Sequence, residues 1–206
     1  MNFLSSLFGS PGAEPPTAFE DAEIEACLAV ASALMVALER RDDELGLAGH
    51  CARVAMLADR LAAHQGVDPE LRAILHHAAL LHEVGMIGVP AELLRKTEVL
   101  TRDELGIIHR QAELGAEIAR GVCGPLGATL IRHQYDDYAT LRDILADEEV
   151  LELAGILRTA DVVEAITRPR PYQPPLPPST RRALLLSGAG SLFDPLAVDA
   201  YLTKGD

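Results

Sequence analysis

The stretch AALLHEVGMIGVP, Ala78 to Pro90, sets a histidine directly before a carboxylate at the end of an apolar run, then breaks into glycine. Imidazole nitrogen and carboxylate oxygen both ligate hard or borderline divalent ions, so His82 and Glu83 point to a metal site. His50 and Asp161 lie in apolar-periodic segments of their own, and a helical bundle can bring His50, His82, Glu83 and Asp161 together. Such a set suits iron, manganese or zinc better than calcium, which prefers an all-oxygen shell. Asp161, inside RTADVVEA, is the hardest of the four to explain otherwise, because a carboxylate in an apolar helix needs a partner. A lone histidine on an apolar face, such as His50, is often just a hydrogen-bonded core residue.

Other residues frame this set. Arg53, three positions after His50, shares its helix face and is a candidate phosphate ligand. At Met86 a site handling phosphate would gain from a cation, which a thioether cannot supply. His76 and His77 lie more than a turn before His82 and read as structural; His64, near a helix end, reads as exposed.

The elements that must position these residues are helices. HCARVAMLADRLAAHQG places His50, Val54, Leu57, Ala58 and Leu61 on one face and stops at Gly66. Asp68 caps the next helix, with Pro69 in its first turn, through ELRAILHHAALLHE. Thr101 to Glu104, TRDE, is a capping box that opens a helix to about Arg120, with Leu105, Ile108, Ala112, Gly115 and Ala119 facing inward. Another helix starts at Pro125 and ends near HQYDDY. VLELAGILRTADVVEAIT is a long apolar helix, RPRPYQPPLPP an extended proline segment, and short helices start at Ser179 and Asp194. Strand alternation is missing, so the fold expected is all-α. The expected organisation is a flexible leader and linker over 1–17, then one domain over 18–206: an N-terminal helix at 18–45 and a core at 46–206.

Composition agrees. The 206 residues suffice for one substantial core, and the apolar residues are mostly Ala and Leu, with no tryptophan. A formal net charge of -13 argues against DNA and against general membrane-surface binding. Cys27, Cys51 and Cys123 are odd in number and widely spaced, the pattern of buried thiols in a reducing cytosol, so the expected location is cytoplasmic. No transmembrane segment is expected, because no apolar run reaches the roughly 20 residues that cross a bilayer. The helix at 18–45 is more apolar than a one-sided surface helix needs, so a homodimer through it is one expectation and packing within the domain the other.

From Gly49 to Leu202 the chain resembles the HD-GYP family, the cyclic di-GMP phosphodiesterases within the HD phosphohydrolase superfamily. GHCARVAMLADRLA resembles the family's first histidine helix, and AALLHEVGMIGVPAELLRKTEVLTRDEL its HD helix and the segment after it. QAELGAEI, ILRTADVVEAITRPRPYQPPL and GAGSLFDPLAVDAYL are similar to the next helix, the late aspartate helix with its Arg-Pro-Tyr tail, and the closing segment. The resemblance implies an HD-domain-like multi-helix bundle. It places His50, His82 and Asp161 on ligand positions and Glu83 where the family has a metal-bridging aspartate.

The departures matter as much. Family ligand histidines fall on Gln111, Gln134 and Tyr135, and the family lysine falls on Met86. His109 does not replace Gln111, since two residues along a helix turn a side chain by about 200°, and His133 is one place early. Ala139–Val150 contains neither glycine nor proline, so the Gly-Tyr-Pro signature is absent and the segment reads as helix. Arg170 matches a family arginine that holds the dinucleotide phosphate, whereas the second basic position there is Gln173; Arg168, Arg170 and Tyr172 read equally well as a solvated strip. The expectation is therefore a catalytically impaired domain with no metal or one divalent ion (Fe, Mn or Zn). It would act in cyclic di-GMP or related signalling by binding a protein partner or a cyclic dinucleotide. The alternative is an active metal-dependent phosphohydrolase with a reduced site.

Overall fold

The computed structural model describes residues 29, 33, 35–37, 49–96, 98–169 and 174–204. The leader at 1–17, most of the helix expected at 18–45, Cys27, Arg170, Tyr172 and Gln173 lie outside the described residues. Of the N-terminal helix, Ala29, Ala33 and Met35–Ala37 are described and helical, with Met35 buried in the core and Val36 exposed.

The described elements are helices: α1 His50–Gln65, α2 Pro69–Leu81, a 3-10 turn Val84–Gly88, α3 Ala91–Leu94, α4 Arg102–His109, α5 Gln111–Arg132, α6 Tyr138–Ile144, α7 Glu148–Thr167, α8 Pro178–Gly188 and α9 Pro195–Lys204. Among the described residues there is no strand, only a bridge between Ala189 and Phe193, so the fold is all-α as expected.

Local sequence accounts for most boundaries. His50, Val54, Leu57, Ala58 and Leu61 are all buried along α1, and the backbone N–H at Gly66 closes the helix onto Ala62 and Ala63. The Asp68 side chain accepts from Glu70 N, ahead of Pro69. Thr101 and Glu104 form both halves of their capping box. Asp147 caps α7 by accepting from Glu149 N and Val150 N.

Helix α7 is the axis of the domain. Leu153, Ile156, Leu157, Ala160 and Val163 are buried on several sides of it, the pattern of a helix wrapped by others. Burying each Leu or Ile fully contributes about 1.5–3 kcal/mol over leaving it exposed. Helix α1 packs against both α2 and α7, α2 against α5, and the 3-10 turn against α5. The site's residues therefore come from the most heavily packed elements.

Three expectations need correcting. The helix from Thr101 does not run on to about Arg120: it ends at His109, and α5 begins at Gln111 after a bend at Arg110. Leu105 is 41% exposed rather than inward, because α4 lies at the edge of the bundle and packs mainly on α5. The segment Ala139–Val150 is not one helix: α6 stops at Ile144, Leu145 turns extended, and Asp147 starts α7. Near Pro125 the expected break is a kink inside α5, at Gly124 with φ 67° and ψ -173°, a backbone state that glycine tolerates.

Candidate metal centre

His50 is the first residue of α1 and is 1% exposed. Its Nδ1 lies 2.6 Å from Glu164 Oε2 on α7. A carboxylate only accepts, so Nδ1 carries the hydrogen and donates it, which leaves Nε2 turned toward Asp161. Arg53, a turn further along α1, donates through Nε to the other oxygen of Glu164 at 2.6 Å. Glu164 thus fixes the orientation of His50 and spends one donor of the arginine proposed from sequence as a phosphate ligand.

His82 ends α2, where backbone carbonyls lack helical partners. Its Nδ1 donates to Ala79 O at 2.7 Å, again fixing the tautomer and leaving Nε2 free to ligate. That Nε2 is buried and has no hydrogen-bond partner. The carbonyl of His82 accepts from Gln134 Nε2 at 2.7 Å, which pins the end of α2 to the turn after α5. Glu83 follows as the residue capping the 3-10 turn. That turn approaches α5 so closely that a Cβ on Gly85 would lie 1.9 Å from Gln111 O, so glycine is required there.

The four donors proposed from sequence converge. Asp161 Oδ1 lies 3.3 Å from His50 Nε2 and 3.8 Å from His82 Nε2, while Glu83 Oε1 lies 4.0 Å from His50 Nε2. Donor atoms of His50, His82 and Glu83 all lie within 4.8 Å of one another. Bonds of about 2.0–2.2 Å in a tetrahedral site place donors about 3.3–3.6 Å apart; His50, His82 and Glu83 lie near that spacing as a group, and Asp161 borders them through the two histidines. The orphaned, buried Nε2 of His82 is the observation that fits a cation best, because a lone pair aimed at a carboxylate needs positive charge between them. Glu164 and the Ala79 carbonyl are the kind of outer partners that orient ligating histidines.

Without an ion, protons fill the same role. Burial pulls the His50 pKa down, but the Asp161 and Glu164 carboxylates and the Glu83 charge outweigh it and carry it up to about 9. His82 is likewise held well above its usual value: burial opposes this, and Cys51, Asp161 and Glu83 overcome it. The Asp161 and Glu164 carboxyls are held below the carboxylate range, burial being outweighed by His50 with His82 for the one and by His50 with Arg53 for the other.

Next to these donors stand neutral groups. Gln111, 2% exposed, donates through Nε2 to Tyr135 Oη at 2.8 Å, and its own Oε1 is buried without a partner. Burial, helped by the Glu83 and Asp161 charges and eased by Gln111, pushes the Tyr135 hydroxyl up to about 12. Gln134 spends its amide on the carbonyls of His82 and Ile131. His109 is exposed and stacks on Tyr135 with ring centroids 4.6 Å apart; His133 pairs with Asp136 at 2.8 Å. Met86 lies half-buried within the 3-10 turn.

Sequence reasoning missed Glu164, although it stands three residues after Asp161 on the same helix and is as anomalous in ADVVEA. It also missed Arg158, three residues before Asp161. Cys51 is the buried thiol expected from its sequence, 1% exposed, and in addition its Sγ lies 4.0 Å from Glu83 Oε2. His64 is exposed and Cys123 is buried, while His76 and His77 lie away from the centre beside Asp59 and Arg72.

Residues 47–166 match the HD domain family. The chain is 33% identical to the cyclic di-GMP phosphodiesterase response regulator RpfG of Xanthomonas campestris pv. campestris, over 83% of this chain and 46% of that protein. It is 32% identical to a probable cyclic di-GMP phosphodiesterase of Vibrio cholerae, over 85% of this chain and 44% of that one. Similarity extends to a 3'3'-cGAMP-specific phosphodiesterase 2 of Vibrio cholerae, at 28% over 82% and 33% of the two chains. The chain spans less than half the length of these curated relatives. A histidine–acid pair closing α2, facing a histidine on α1 and an aspartate on α7, together with this match, places the chain in the HD domain family.

Proposed function

We propose that this chain is a catalytically impaired HD domain that holds one divalent ion on His50, His82, Glu83 and Asp161 and acts by binding a cyclic dinucleotide. The observation that carries this reading is the Gln111–Tyr135 hydrogen bond. It puts neutral groups at positions where the HD-GYP resemblance puts imidazoles. Two ions about 3.5–4 Å apart need bridging and flanking donors on both sides. A single ion supplies Lewis acidity and an activated water when bound, without the paired clamp on both oxygens of the scissile bond. In this reading His50 and His82 hold the ion, Glu164 and the Ala79 carbonyl orient them, and Tyr135 with Gln111 lines the ligand's side. The reading extends to one domain over 18–206, with signalling passed to a protein partner and the helix at 18–45 as the element to test for self-association.

The orienting bonds His50–Glu164 and His82–Ala79 favour a second reading, an active single-ion phosphohydrolase, because outer partners of this kind also serve working sites. One experiment separates the two. Protein with its metal content measured is incubated with cyclic di-GMP and with the linear dinucleotide. Binding without turnover supports the first reading; metal-dependent turnover abolished by His82→Ala replaces it with the second. Among the described residues, no helix is long and apolar enough to cross a membrane.

A further inference from the structure

The Asp161 carboxylate approaches both histidines through Oδ1. Its other oxygen faces Arg158, one turn earlier on α7, whose Nη1 lies 4.0 Å from Asp161 Oδ2. The Nη2 of the same guanidinium lies 3.8 Å from Asp137 Oδ1, just before α6. Both separations exceed hydrogen-bond length, and the buried Nε has no hydrogen-bond partner. The residues around Arg158 on the helix, Ile156, Leu157, Thr159 and Ala160, are buried. Arg158 itself is only partly buried, its side chain 20% exposed, so the buried Nε lacks an acceptor while part of the side chain stays open to an incoming ligand.

We propose that Arg158 is a phosphate-binding residue of this site, its guanidinium taking the non-bridging oxygens of a phosphodiester or phosphate monoester seated against His50, His82 and Asp161. The inference rests on the reading that this centre receives a phosphorylated ligand, and it names the cation that does so where Met86 cannot. Arginine suits the task because its planar fork matches two phosphoryl oxygens at once. Asp137, whose side chain is 47% exposed, holds the guanidinium loosely and gives way to the incoming anion. Arg158 is paired with the Asp161 oxygen other than the one paired with the histidines, so it does not compete with them for the ion.

The test is calorimetric titration of inorganic phosphate into the full chain, once loaded with manganese and once in chelator, for wild type, Arg158→Gln and Arg158→Lys. Arg158→Gln is expected to weaken phosphate binding by about 10-fold or more, the loss of a charge-assisted contact, with Arg158→Lys between the two. Manganese stoichiometry is expected to be the same in all three. Phosphate affinity in Arg158→Gln within about twofold of wild type in both states, or no phosphate binding by wild type in either, overturns the inference. Failure of wild type to take up manganese rejects the single-ion reading alone; the chelator arm then decides Arg158, an Arg158-dependent affinity upholding it and an independent one overturning it.

Discussion

Replacing Glu164 with glutamine keeps the side chain's shape and removes its charge, which isolates how much the metal-free centre depends on that carboxylate. In the wild type, Oε2 accepts from His50 Nδ1 and Oε1 from Arg53 Nε, each at 2.6 Å, with the side chain 5% exposed. A glutamine offers one acceptor oxygen, so its amide NH2 must face one of two donors. Losing one charge-assisted hydrogen bond costs about 1.5–3 kcal/mol, and Glu164→Gln is expected to be destabilised by roughly that amount near neutral pH.

The pH dependence is the sharper readout. His50 rises from 6.5 to about 9 in the folded protein. At about 1.4 kcal/mol per pKa unit, that shift is about 3 kcal/mol of stability. The folded chain binds this proton more tightly than the unfolded chain, so the contribution is whole below pH 6.5 and is lost as pH rises through 9. Without the Glu164 charge the His50 pKa moves back toward 6.5, and the decline of stability over this window becomes shallower. Urea unfolding in chelator, at steps between these pH values, gives both curves. Parallel curves with a constant offset would mean that Glu164 acts through packing alone, and the electrostatic account of the centre would fail.

Metal loading should release protons near neutral pH, because His50 titrates at about 9 before the ion arrives and must be neutral to ligate. Calorimetry in buffers of different ionisation enthalpy measures the release, and zero release would exclude His50 as a ligand. Gly85→Ala places a methyl 1.9 Å from the Gln111 carbonyl, so the 3-10 turn must move off α5; an expected loss of about 3 kcal/mol or more, within the cost of overpacked or strained core positions, is read by urea unfolding. The Cys123 thiol is raised to about 11 by burial and donates to Ala119 O at 3.2 Å, so it should resist alkylation at neutral pH until the chain unfolds. Labelling of Cys123 in the native protein at a free-thiol rate contradicts that.

What the sequence revealed and what it hid divide along the range of the interactions. The Thr101–Glu104 capping box, the Asp68–Pro69 start and the Gly66 stop are contacts between near neighbours, so their residue types announce them. Leu105 was misplaced because helical periodicity says which residues share a face and not whether another element covers it. The bend at Arg110, which separates exposed His109 from buried Gln111, has no glycine or proline to mark it. Glu164 was passed over because its partner His50 is 114 residues away, and only folding brings the two together. The same holds for Gln134, whose amide is spent on a carbonyl 52 residues earlier. Residue type and spacing single out the candidate donors, whereas the residues that aim them are set by the fold.

Charge balance gives a reason for a single ion that is independent of counting imidazoles. Glu83, Asp161 and Glu164 surround His50 and His82, and in the metal-free protein the raised pKa values of both histidines put protons where a cation would sit. A divalent ion that displaces those two protons exchanges charge for charge, so the carboxylates and the nearby Arg53 and Arg158 meet the same field before and after loading. A second divalent ion would have no protons to displace: toward α5 the lining groups are the Gln111 amide and a Tyr135 phenol raised to about 12, which does not ionise near neutrality. Its charge would stand uncompensated among largely buried side chains, at a cost of several kcal/mol after relaxation. Binding of an anionic phosphate is the one event that could offset it. Two-ion occupancy that requires phosphate would therefore be the measurement to set against a site that saturates at one.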